Sequence, residues 1–171
     1  MFSKIVIAAL ALPFVAQLVA ADNTCTRNYT VQEGDICDSV SAANNVSTYQ
    51  FAVVNYGIVD DECNNLTPGQ SYCLGWQGED CTNTYVVQAN DDCDMIAAIS
   101  NVNSTILSLN NPQIDDSCSN LYVGEVLCTS GSVQAPAAPS GYPTSSGSIP
   151  ASATPANPDD DLPWCDDEDD E

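Results

Sequence analysis

Eight cysteines fall in two sets of four with nearly the same spacing, and no other feature restricts the chain as tightly. Cys25, Cys37, Cys63 and Cys73 leave gaps of 11, 25 and 9 residues; Cys81, Cys93, Cys118 and Cys128 leave gaps of 11, 24 and 9. The sets superimpose on a shift of 56 residues that becomes 55 late in the unit, so the chain holds an internal repeat. Other residues keep this register. Tyr29, Val31, Gln32 and Asp35 match Tyr85, Val87, Gln88 and Asp91, and Asn45, Val46, Asn55 and Ile58 match Asn101, Val102, Asn111 and Ile114. After the slip, Asn65, Leu66 and Gly69 match Asn120, Leu121 and Gly124.

Each copy reads as strand, helix, helix, strand, which is an α+β unit. Tyr29–Val31 and Tyr85–Val87 are rich in β-formers. Asp35 and Asp91 then stand where a helix N-cap is expected. Cys37, Val40 and Ala43 follow at helical spacing, as do Cys93, Ile96 and Ile99. Ser47 and Ser104 are placed to cap a second helix. That helix ends at Gly57 in copy one and at Asn111-Pro112 in copy two. Closing strands are expected at 71–74 and 126–129. Units of this size bury little core and need staples. Four cysteines in each, in a secreted chain, supply them as disulfides, and four cysteines allow three pairings. Zinc is disfavoured, because the sequence contains no C-x2-C pair and no histidine. No cofactor or metal is implied.

The N-terminus reads as a signal peptide over residues 1–21. Lys4 precedes an apolar run from Ile5 to Ala20, and Val19, Ala20 and Ala21 form a small-residue cleavage site. The mature chain then keeps one basic side chain, Arg27, beside 24 carboxylates. Such a surface repels phosphates, which disfavours nucleic acid and anionic membranes as partners. The remaining chain divides into a first module at 27–74, a second at 83–129, a Pro/Ser/Ala-rich linker at 130–158 and an acidic tail at 159–171, the last two expected to be disordered. Cys165 is a ninth cysteine with no place in the repeat. It either links two chains as a disulfide dimer or stays free. Sequons for N-glycosylation occur at Asn28, Asn45, Asn65 and Asn103.

Both copies resemble the lysin motif (LysM) domain of secreted fungal proteins. The resemblance is carried by Tyr29-Thr-Val-Gln-Glu-Gly-Asp35 with Cys37, Asn55-Tyr-Gly-Ile58 and Asn65-Leu-Thr-Pro-Gly-Gln70 with Cys73, and in copy two by Tyr85-Val-Val-Gln-Ala-Asn-Asp91 with Cys93, Asn111-Pro-Gln-Ile114 and Asn120-Leu-Tyr-Val-Gly124. It implies binding of N-acetylglucosamine polymers, chitin or chitin oligomers above all, in a groove between two loops. Carried over, the ligand-binding residues are Gly34, Asp35, Ile36, Tyr56, Gly57 and Ile58 in copy one. In copy two they are Asn90, Asp91, Asp92, Pro112, Gln113 and Ile114. Loop backbone groups would pair with the acetamide, and Ile58 or Ile114 would cover its methyl. Copy two departs from the usual glycine at Asn90, a residue that tolerates positive φ.

The function this implies is a secreted, extracellular or wall-associated, non-catalytic chitin binder that sequesters chitin fragments or shields a fungal wall. Two alternatives belong to other classes. One is a structural cell-wall glycoprotein without strong chitin affinity. The other is a glycoside hydrolase built on paired carboxylates. Histidine-based nucleophilic schemes are excluded by the lack of histidine.

Overall fold

The computed structural model describes residues 23–60, 63–142 and 149–157. The expected signal peptide and the acidic tail with Cys165 lie outside the described residues. Two modules follow one another, each β-α-α-β with a two-stranded antiparallel sheet. Module one comprises β1 (Cys25–Thr30), α1 (Cys37–Asn44), α2 (Thr48–Val54) and β2 (Ser71–Trp76). Module two comprises β3 (Thr84–Val86), α3 (Cys93–Ile99), α4 (Ser104–Asn110) and β4 (Val126–Cys128). Tyr29 pairs with Tyr72 across the first sheet, and Tyr85 with Leu127 across the second.

Helices of seven or eight residues cannot hold themselves together in water, so packing and covalent bonds must do so. Val31, Val40, Phe51, Tyr72 and Leu74 form the first core; Val87, Ile96, Leu107, Leu121 and Leu127 form the second. Of the three pairings open to each set of cysteines, the nested one is formed. Cys25 bonds Cys73 around Cys37–Cys63, and Cys81 bonds Cys128 around Cys93–Cys118. The outer bridge ties the first strand to the last, while the inner one pins the start of the first helix to the loop after the second.

The helix faces differ from the expected ones. In α1 the buried residues are Cys37, Val40 and Ser41, and in α3 they are Ile96 and Ala97, whereas Ala43 and Ile99 face solvent. The N-caps also move by one residue. Ile36 and Asp92, not Asp35 and Asp91, hold the extended cap position, and Asn103 caps α4 in place of Ser104 through its Oδ1 on the Thr105 N–H. Ser47 caps α2 as expected.

The modules are joined without slack. β2 runs on through Gly75 to Trp76, and a turn returns the chain at Glu79. Gly75 is required there, because a Cβ at this position would stand 2.3 Å from the Asp80 carboxylate. Arg27 is committed to the same corner. It pairs with Asp80 at 2.6 Å and donates to the C=O of Asn44 at the C-terminal end of α1, where a cation is favoured. Segment 131–142 and segment 149–157 contribute no helix or named strand. Both nonetheless lie along the modules: Tyr49 Oη donates to the Pro136 C=O, and Ala156 is fully buried in the second core.

Candidate functional site

The loop from β1 to α1 turns at Gly34 (φ +89°), and its counterpart turns at Asn90 (φ +67°). Asn90 therefore takes the left-handed conformation that glycine takes in copy one. Asp35 and Asp91 close these turns. Asp35 Oδ2 accepts from the Gln32 N–H (2.7 Å) and from Tyr29 Oη (2.9 Å); Asp91 Oδ2 accepts from the Gln88 N–H (2.7 Å). The hydrogen bond to Asp35 holds the Tyr29 phenol above its ordinary range. One carboxylate oxygen of each aspartate is thus tied into the turn. Asp92 Oδ1 accepts from the Met95 N–H at 2.7 Å, so its charge sits at the start of α3.

The second loop of each module hangs on two asparagines that the repeat register brings into view only as matched letters. Asn55 Nδ2 donates to the Phe51 and Cys73 carbonyls and its Oδ1 accepts from the Cys73 N–H; Asn111 does the same with Leu107 and Cys128. Further along, Asn65 Nδ2 holds the Ile58 C=O (2.9 Å) while its Oδ1 takes the Asp60 N–H, and Asn120 holds the Gln113 C=O (2.8 Å) and the Asp115 N–H. None of the four is among the expected ligand-binding residues, and Asn65 is expected only as a glycosylation sequon. Their signal was recurrence at identical places in both copies.

These bonds relocate the one-residue slip. Asn65 and Asn120 reach the carbonyls of Ile58 and Gln113, a shift of 55 and not 56, so the slip lies before Ile58. By bonding pattern Ile58 corresponds to Gln113, and Val59, buried in the first core, corresponds to Ile114, packed against the second. The expected equivalence of Ile58 and Ile114 is corrected accordingly. Ile58 is 58% exposed and Ile36 56%, which leaves two apolar side chains displayed by the loops of module one. In module two that place is taken by Gln113, whose Nε2 donates to Glu125 Oε1. Tyr56 is drawn aside: its Oη donates to the Gly141 C=O and its ring meets the edge of Tyr142. Gly57 follows it at φ +81°, and Pro112 is exposed at the start of the matching loop.

A cavity of about 410 Å³ lies beside Tyr49, Leu109, Pro112, Val133 and Tyr142. Among the described residues that line it, Glu79 is the one carboxylate, where acid–base hydrolysis of a glycoside uses two. Asp115 is spent locally, accepting from the hydroxyls of Ser117 and Ser119 and from the Ser119 N–H; the Ser119 bonds above all hold its carboxyl below the usual range. Among the described residues, no three acidic or cysteine side chains gather as metal ligands would.

Known proteins carry the same units. A non-secreted LysM effector of Penicillium expansum is 34% identical over 107 residues, covering 60% of this chain and 8% of that protein. A secreted LysM effector of Pochonia chlamydosporia is 34% identical over 108 residues, covering 62% of this chain and 15% of that one. A secreted LysM effector of Penicillium expansum is 39% identical over 69 residues, or 40% of this chain and 23% of the relative. The chain thus spans less than a quarter of the length of each of these relatives. The LysM domain family itself matches residues 29–74 and 85–130, the two disulfide-nested units just described. Because those matches take in more than half of the sequence, the chain belongs to the LysM domain family.

Proposed function

We propose that this protein is a secreted, non-catalytic binder of N-acetylglucosamine polymers, chitin or its oligomers, acting as an effector that sequesters chitin fragments or shields a fungal wall. The observation that carries this reading is the display of Ile36 and Ile58 on loops that are fixed by hydrogen bonds and covalently stapled. Rigid loops that hold apolar side chains in water favour a ligand with an apolar group of its own, since little ordering is then lost on binding. The methyl of an acetamido sugar suits Ile58, and the loop backbone suits its amide. A neutral glycan is also indifferent to the net charge of −22. Membership in the LysM family and relatives named as effectors support the same reading. One relative is named a probable chitinase, but the match covers only 8% of it and brings none of its activity here.

The test is co-sedimentation of the oxidised chain with insoluble chitin, with cellulose as control. Retention on chitin that is released by soluble chitin oligomers is the expected result. A folded sample that stays in the supernatant overturns the reading.

A further inference from the structure

Segment 149–157 is threaded between the loop from β3 to α3, which carries the candidate site residues Asn90 and Asp91, and the turn at 121–123 that leads into β4. On one side it pairs with the connection from α4 to β4. The Val123 N–H donates to the Thr154 C=O (2.8 Å), the Ala156 N–H donates to the Leu121 C=O (2.9 Å), and Pro155 bridges to Tyr122. On the other side it meets the loop from β3 to α3. The Asn90 N–H donates to the Ala156 C=O at 2.8 Å, and Asn157 Nδ2 donates to the Asp91 C=O at 2.7 Å. Ala156 is 0% exposed, and Asp91 beneath the segment is 5% exposed, while Asp35, its counterpart, is half-buried.

The chemistry of this contact is that of an acetamido group. Such a group offers a carbonyl acceptor, an N–H donor and a methyl. Here the Ala156 carbonyl is the acceptor, the Asn157 amide is the donor, and the Ala156 methyl is the buried apolar element. We propose that Thr154–Asn157 is a built-in occupant of the Asn90–Asp91 arm of the second module's site, taking the backbone groups there that an N-acetylated sugar would take. Module two then takes a glycan only after the segment leaves, whereas in module one the Gly34–Ile36 loop and Ile58 are open at rest and, among the described residues, the tail reaches only Tyr56 of that site. Among the described residues no tail segment makes a backbone hydrogen bond to Gly34 or Asp35. The segment belongs to the same chain as the module it fills, so it competes as an intramolecular ligand at roughly millimolar effective concentration. The identity of the displaced ligand rests on the chitin reading; the occupancy of the site does not.

The test uses the full oxidised chain, native and with Ala156→Asp or Asn157→Ala, followed by amide-resolved NMR and titrated with a chitin tetramer. Ala156→Asp places a charge at a fully buried position of the segment and should expel it. The expected result is faster hydrogen exchange at the Asn90 amide in Ala156→Asp, and a smaller change of the same sign in Asn157→Ala. The native chain should respond to the tetramer at 34–36 and 56–58 only. With Ala156→Asp the response should extend to 90–92, with apparent affinity there raised about tenfold or more, because a site open a tenth of the time binds ten times more weakly. Equal protection of Asn90 in all three proteins overturns the proposal, as does equal tetramer affinity at 90–92. If Asn90 loses protection but the tetramer moves no residue in any of the proteins, the occupancy stands and the chitin reading falls.

Discussion

Asn55 and Asn111 each satisfy three backbone groups from one buried side chain, and they do so at the junction between the second helix and the closing strand. An alanine there leaves a strand N–H and two carbonyls without partners in a dry environment, at roughly 1–3 kcal/mol for each group that water cannot reach. Asn111→Ala is therefore expected to destabilise the chain by about 3 kcal/mol in urea unfolding with disulfides intact. Asn65→Ala, at an exposed residue, should cost less than half of that. Ile58 is the opposite case. Its side chain lies largely in water, so Ile58→Ala should leave the unfolding free energy within about 0.5 kcal/mol of native. Under the chitin reading the same change should weaken oligomer binding by about tenfold, the worth of a covered apolar contact of 1–2 kcal/mol. Calorimetric titration checks the second value, and unchanged affinity would remove Ile58 from the site.

At the scale of elements, stability depends on nested bridges because the helices are short and each sheet has two strands. Closing a loop of 25 residues with Cys93–Cys118 removes chain entropy worth about 3–4 kcal/mol from the unfolded state. Paired Cys93→Ser and Cys118→Ser substitutions should lose about that much, and the inner bridge of module one should behave alike. A much smaller loss in thermal unfolding would mean that the packing of α3 carries the module unaided. The two stapled units were legible in the cysteine spacing, but the nested pairing was not, since four cysteines admit three pairings and spacing alone does not choose among them. The caps were legible only in part. Asp35 offers a good acceptor to the helix start and to the turn before it, and the turn wins because the Tyr29 hydroxyl adds a second bond. Matching identical letters aligned Ile58 with Ile114, whereas burial pairs Ile114 with Val59. The contacts of segment 149–157 were illegible for a simpler reason: most are backbone hydrogen bonds, which leave no mark in residue type.

The two modules meet across a seam that charge makes sensitive to pH. Tyr122 Oη and Thr48 Oγ1 both donate to Asp38 Oδ1, at 3.2 and 2.8 Å, and the Val126 N–H donates to Thr48 Oγ1, so α1 and α2 of one module dock on β4 of the other. Glu125 lies in the same region, 3% exposed, with one carboxylate oxygen on Gln113 and the other without a hydrogen-bond partner among the described residues. Burial, reinforced by the charge of Asp38, lifts Glu125 from its ordinary 4.5 to about 7. Burial raises Asp38 too, against the pull of its two hydroxyl donors. A carboxyl raised on folding binds its proton more tightly in the native state. Its stabilisation is complete below the unfolded value near 4.5 and is lost as pH rises through about 7. The difference amounts to about 3 kcal/mol at 1.36 kcal/mol per pH unit. Asp80 and Asp115 have the opposite sign, being held below their ordinary 3.8. Burial pushes Asp80 up, but the bonds from Arg27, Thr26 and Gln50 outweigh it. Their contribution fades only in more acid solution, outside the window that Glu125 governs. Unfolding free energy should therefore rise as pH falls from 8 to 5, by about 3 kcal/mol, and turn down below about 4. Glu125→Gln keeps the shape and removes the titrating proton, so it should flatten the slope between pH 5 and 7 and leave the acid limb in place. A variant whose stability still climbs by the native amount over that range would show that the self-repulsion of the acidic surface, and not the buried seam, sets the pH dependence.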